Sequence, residues 1–197
     1  MKTFSILIVF PLIVFSGLVI AAPPGEFKPD SEPDGFRGIK WGTDISKLPG
    51  MLPAIRRKGR LWTIKGGKQY MREKEDLFLG SIKLTRIVYH TWHDKFYQVR
   101  LFTEGSENVS ALKNFIKTKY GDVKSTELYS PNTCYRQCIT GEKTRMCVIC
   151  SSPRREGEAE ECMLIIRSTK LAKIILKSQR QEAPKTKILE SNKSSSE

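Results

Sequence analysis

Residues 82–103 read IKLTRIVYHTWHDKFYQVRLFT, two runs of alternating apolar and polar residues on either side of Asp94. Such alternation marks half-buried strands, because successive side chains on a strand point to opposite faces of a sheet. Folding the stretch about Asp94 sets Thr91 opposite Tyr97, Tyr89 opposite Val99 and Ile87 opposite Leu101, which makes one face aromatic and aliphatic throughout. A two-residue turn at His93-Asp94 would pair Arg86 with Leu101 instead, a poorer match. In the preferred register His93 lies in the turn, and Arg86, Val88, His90, Trp92, Phe96, Arg100 and Phe102 share the other face.

On the C-terminal side, Gly105 breaks the strand and residues 106–120 carry Val109, Leu112, Phe115, Ile116 and Tyr120 on one helical stripe. Ser106 or Asn108 is placed to cap that helix, and Gly121 follows it as the natural C′ residue. A second hairpin joins 134–140 to 144–150, and a strand follows around 162–166. In 169–180 Leu171, Ile174 and Ile175 have helical spacing, although three aliphatic residues in a row at 174–176 also suit a strand. On the N-terminal side, residues 36–44 give a short strand ending at Gly42, then Thr43 or Asp44 as cap of a short helix over 45–48. Gly66-Gly67 suits the turn of a small hairpin between 61–64 and 69–72. The expected fold is α+β: an antiparallel sheet of about six strands with one long helix packed on it, and a second, C-terminal helix if 169–180 is helical rather than a strand.

The quoted stretch FRGIKWGTDISKLPGM, with IVYHTW, FYQVRLF and the helix ending KYG, resembles small exported bacterial proteins of unknown function. The resemblance covers roughly residues 36–121. It implies export and a small α+β domain, and it carries no catalytic residues to transfer. The Gly42-Thr43-Asp44 step within it reads as structural, a glycine for an unusual φ followed by a cap.

The first residues sharpen that expectation. Lys2 opens the chain, residues 4–20 are apolar apart from two serines, Pro11 and Gly17, and Val19-Ile20-Ala21 precedes Pro23-Pro24. This reads as a signal peptide over 1–21, cleaved after Ala21 or Ala22, with no transmembrane span left afterwards and a periplasmic or secreted destination. An uncleaved anchor is the alternative. Residues 22–36, with one lysine and four acids, read as a flexible acidic Pro-rich linker, 37–180 as a single domain, and 181–197 as a disordered tail.

Charge is concentrated in the domain. The chain carries +13 formally, and residues 37–180 hold 29 basic and 14 acidic side chains. Residues 56–60, Lys113, Lys117 and Lys119, and Lys170, Lys173, Lys177 and Arg180 would form a basic patch if the fold joined them. Such a surface draws an anionic envelope component or an acidic protein; sequence-specific nucleic-acid binding is not expected. The aromatic-basic hairpin face, Arg86, His90, Trp92, Phe96, Arg100 and Phe102, is the candidate binding surface.

Five cysteines remain: Cys134, Cys138, Cys147, Cys150 and Cys162. With Glu142-Lys143 as turn, Cys138 faces Cys147, and one bulge brings Cys134 opposite Cys150. Export favours oxidation, so the expected bridges are Cys138–Cys147 and Cys134–Cys150, with Cys162 a small buried apolar residue. The alternative is a zinc-thiolate or thiol-redox site built from Cys134, Cys138, Cys147 and Cys150. Against redox chemistry, Cys147-Val148-Ile149-Cys150 sits in a strand rather than at a helix N-terminus. The two histidines, His90 and His93, do not suit one metal. The sequence has no HExxH, GxSxG, P-loop or dinucleotide-binding glycine motif. The expectation is a non-enzymatic exported protein that binds a partner or anionic ligand, without a cofactor.

Overall fold

The computed structural model describes residues 22–54, 64–130, 134–151 and 158–182, the side chains of 125–130, 134–135 and 182 excepted. The expected signal peptide, the basic loop at 56–60, Leu61 to Thr63 of the small hairpin and most of the tail lie outside these residues. The elements run β1 (Gly35–Phe36), β2 (Ile39–Lys40), a 3-10 turn (Ile45–Lys47), β3 (Met51–Pro53), β4 (Gly67–Arg72), β5 (Phe78–Leu79) and β6 (Ile82–Lys83). They continue through β7 (Arg86–Trp92), β8 (Lys95–Glu104), α1 (Ser106–Lys119), β9 (Lys124–Ser130), β10 (Cys134–Thr140), β11 (Thr144–Ser151), β12 (Glu161–Ser168) and α2 (Thr169–Glu182). One eight-stranded antiparallel sheet, in the order β3-β4-β7-β8-β12-β11-β10-β9, is flanked by two two-stranded sheets, so the fold is α+β. The strands beyond the expected six are β3 and β9, which form its two edges.

The β7–β8 turn reconciles the two registers weighed above. His93 and Asp94 have φ of 46° and 61°, the positive pair that a two-residue type I′ hairpin turn requires. Trp92 therefore faces Lys95 and Thr91 faces Phe96, not Tyr97. Past an irregularity, His90 faces Gln98, Tyr89 faces Val99 and Ile87 faces Leu101, as the alternation requires. Tyr97 is the extra residue of a bulge. The bulge moves Phe96 off the expected binding face and into the core, fully buried between Tyr89 and Trp41, with ring centroids 5.7 and 4.8 Å away. The stretch 69–72 is not half of a local hairpin: β4 pairs with β3 and β7.

The core lies on one face of the sheet. Tyr89, Leu101, Leu164 and Met146 meet Val109, Leu112 and Ile116 of α1, and each such side chain contributes roughly 1.5–3 kcal/mol by leaving water. Neither Ser106 nor Asn108 caps α1; Gly105 holds that position with no side-chain bond. The Asn108 amide instead donates to the Glu104 carbonyl (3.1 Å) and accepts from the Lys83 amide (3.2 Å), tying α1 to β6 and β8. Gly121, at φ 124°, ends the helix as expected.

Residues 22–36 are not a flexible linker. Gly25 N–H donates to Asp122 O (2.7 Å), Lys28 N–H to Tyr120 O (2.7 Å), and Gly25 O accepts from Thr140 N–H (2.8 Å). Phe27 packs edge-on to Tyr120, and the Glu32 carboxylate accepts from the Lys143 and Thr144 amides, each at 2.6 Å. Phe36 is in the core, so the domain includes this strap. The motif that follows it is structural. Arg37 pairs with Glu75 and donates to the Asp76 and Phe78 carbonyls, each at 2.6 Å, while Tyr89 Oη donates to Glu75 (2.8 Å). Gly42 has φ 88°, and Asp44 caps the 3-10 turn by accepting from Ser46 N–H at 3.2 Å.

The stretch 169–180 is helix, not strand: α2 extends to Glu182 and buries Ile175. It lies over the sheet face opposite α1, where Gln98, Arg100, Arg145 and Arg167 line a cleft together with α2 residues. Lys113, Lys117 and Lys119 on α1 therefore cannot join the basic residues of α2 in one patch. Lys113 and Lys117 pair with Glu160 and Asp122 instead, and Lys119 lies over the Phe115 and Tyr120 rings.

Candidate functional site

Strand register alone builds the site. On the face away from α1, Gln69 stands opposite His90, His90 opposite Gln98, and Gln98 opposite Arg167. Arg167 then stands opposite Arg145, and Arg145 opposite Thr140. One polar row thus crosses six strands, from β4 to β10, with Arg100 two residues beyond Gln98 on the same face of β8. A sheet face covered by a helix is ordinarily apolar. Here α2 covers it only in part and leaves a cleft of about 480 Å³. Arg100, Arg145 and Arg167 line the cleft from the sheet, together with Gln98 and Tyr97; Lys173 and Gln179 line it from α2. No carboxylate among the described residues lines it.

The electrostatics are those of an uncompensated cation cluster. Burial pushes the Arg167 guanidinium below its ordinary pKa, and Arg145 and Arg136 push it the same way. Burial does the same to Arg100. Among the described residues, the buried donors Gln98 Nε2, Arg100 Nε and Arg145 Nε have no partner, each a loss of about 1–3 kcal/mol where no ligand or water meets it. Gln98 is only 4% exposed. His90, equally buried and beside Arg100, is held neutral with its pKa lowered to about 3, first by burial and then by the Arg100 charge. Sheet positions with unpaired donors and like charges side by side break the usual rules of a packed interior, and such violations concentrate at binding sites.

The expected binding surface is only partly assembled. Arg100 lines the cleft and His90 lies in the adjoining polar row. Arg86 and Phe102 sit further along the strands, the guanidinium 4.2 Å from the ring centroid, beside a second cavity of about 330 Å³ that Glu104 and Glu161 also line. Trp92 stands at the hairpin end against His93, ring centroids 4.4 Å apart, and Phe96 is in the core on the opposite face. Arg145, Arg167, Gln98 and Tyr97 escape sequence reading. Arg145 and Arg167 each alternate with inward residues along their own strand, and only the β11–β12 register puts them side by side.

The cysteines also depart from expectation. Cys138 and Cys147 are bridged as predicted, their Cα atoms 4.1 Å apart. Cys150 is bridged to Cys162, not to Cys134, because β11 pairs in register with β12 and sets those two residues opposite each other. Cys134 stands opposite Ser151 in the strand register. The two bridges lie on opposite faces of the sheet: Cys150 and Cys162 belong to the core cluster, whereas Cys147 alternates with it and lies on the cleft face. Arg136 and Arg145 place guanidinium nitrogens 3.7 Å from the Cys147 and Cys138 sulfurs. A site made of Cys134, Cys138, Cys147 and Cys150 is therefore not assembled. Cys150 and Cys162 do lie within ligand distance of Glu160, but their sulfurs are spent on each other.

The class defined by these features is an antiparallel α+β domain with two disulfides and a basic cleft under its C-terminal helix. Among the described residues no helix is long and apolar enough to cross a membrane. Compared with family models, with curated proteins and with solved structures, the chain matches none.

Proposed function

We propose that this is an exported, non-enzymatic protein that binds an anionic ligand in the cleft between the sheet and α2. One observation carries the reading: Arg100, Arg145, Arg167 and Lys173 converge on a cleft that, among the described residues, no carboxylate lines. Guanidinium groups present forked donors that match carboxylate, sulfate and phosphate oxygens, and they are strongest where water is partly excluded. An anion placed there relieves the mutual repulsion and supplies acceptors. The concave shape favours a discrete anionic group of an envelope component over the flat surface of an acidic protein. Export is supported by the leader-like first 21 residues and by two disulfides, which persist in oxidising compartments.

The test is thermal unfolding in inorganic pyrophosphate against sodium chloride of equal ionic strength. Ligand that binds only the folded state raises Tm. The expected result is a rise with pyrophosphate that Arg145→Gln plus Arg167→Gln removes. Equal melting in both salts, or a rise that survives in the double variant, contradicts the reading.

A further inference from the structure

The lining of the cleft is part cationic and part apolar, and the apolar part narrows the ligand. The sheet wall carries the guanidinium groups. From α2, Ala172, Ile175 and Leu176 line the cleft beside Lys173 and Gln179, and Ile64 and Tyr97 add further apolar surface. Leu176 is 50% exposed although it belongs to the cleft lining, so a bulky apolar side chain is held open to solvent beside a cation cluster. Ile175, the next residue, is buried and fixes the rotation of α2, which prevents Leu176 from turning inward. A ligand that is only an anion, such as free phosphate, would meet the cations and leave the apolar part of the lining wet.

Resting on the anion-binding reading above, we infer that the ligand is a single-chain amphiphilic anion: a carboxylate, sulfate or phosphate head on an unbranched apolar tail. The head lies on Arg100, Arg145 and Arg167. The tail runs along α2 over Ala172 and Leu176 toward Ile64. A cleft of about 480 Å³ falls within the size of small-molecule sites and holds one such molecule between its two walls. Apolar area adds affinity in proportion to what it buries, so a tail should multiply the affinity of the head rather than merely be tolerated. The head-bearing molecule is taken as a free monomer, because both walls must close on it; a headgroup embedded in a bilayer cannot bring its tail between them.

The experiment is calorimetric titration of the full mature chain with decyl phosphate below its micelle concentration. Inorganic phosphate and the neutral decyl maltoside serve as comparison ligands, and sedimentation with anionic phospholipid vesicles runs in parallel. Decyl phosphate is expected to bind with one-to-one stoichiometry at least tenfold more tightly than either comparison ligand. Leu176→Ser, at an exposed position, is expected to weaken decyl phosphate several-fold and leave inorganic phosphate unchanged. Lys173→Glu, also exposed, is expected to weaken both anions. Equal affinity for decyl phosphate and inorganic phosphate overturns the amphiphile and leaves the anion site standing. Equal affinity for decyl maltoside, or vesicle binding without monomer binding, also overturns it. No binding by either phosphate overturns both readings together.

Discussion

Two arginine environments in this domain show opposite uses of the same side chain. Arg37 is surrounded by acceptors: the Glu75 carboxylate and the carbonyls of Asp76 and Phe78. Glu75 is shared with Tyr89, whose hydroxyl is pushed above its ordinary pKa by burial and then by the carboxylate beside it. That network pins residues 75–78 onto the start of the domain. Arg100, Arg145 and Arg167 sit on the far face of the sheet, and among the described residues no acid lines the cleft they share. Charge that is spent on internal partners holds the fold; charge left over is available to a ligand. A paired buried charge is costly to break, whereas removing an unpaired one can stabilise.

Breaking the paired side should give the largest effect. Arg37→Met leaves the nearly buried Glu75 carboxylate without its cation and should destabilise by roughly 3–4 kcal/mol, read from the urea midpoint; a loss within error would mean the pair is a surface ornament. The core-face bridge comes next. Replacing Cys150 and Cys162 together by Ala should cost about 3 kcal/mol by the loop-entropy relation, and a mapping of cystine peptides should recover Cys150 joined to Cys162. Recovery of Cys134 joined to Cys150 instead would contradict the β11–β12 register.

The polar row makes a third difference measurable. His90 has a folded pKa near 3, below its unfolded value, so between about pH 6.5 and pH 3 the unfolded chain binds the extra proton. Stability from this group is complete above pH 6.5 and is lost as pH falls, by roughly 2 kcal/mol at pH 5. His90→Phe, which keeps a ring against Tyr97, should flatten that limb. An unchanged acid limb would place the proton elsewhere. The smallest stability effect is expected on the unpaired side, and with the opposite sign. Arg167→Met removes one of the clustered cations and should stabilise the free protein by about 1 kcal/mol, while weakening anion binding tenfold or more. A destabilised variant would mean Arg167 is structural like Arg37.

Much of this architecture is legible in the sequence, and the failures have local causes. Alternation in 82–103 and in the cysteine hairpin gives their strand bodies, because register follows from which residues need burial. Phe96 is misassigned by one bulge at Tyr97, which the turn geometry of His93 and Asp94 forces and which no periodicity reveals. Residues 22–36 look like a linker because their acids have no local partner; Glu32 finds backbone amides at the 143–144 turn, far along the chain. The cleft is harder still. Each of its arginines reads as one polar position on an alternating strand, and the cluster exists only once β8, β12 and β11 lie side by side.

The central claim is that the arginines of the outer face hold an anion. Its most direct test is calorimetric titration of the protein with inorganic pyrophosphate at low and moderate salt, beside the Arg145→Gln plus Arg167→Gln variant. One binding event per chain, weakened by salt and lost in the variant, is the expected result. Absence of heat in the wild type, or equal binding by the variant, would contradict it.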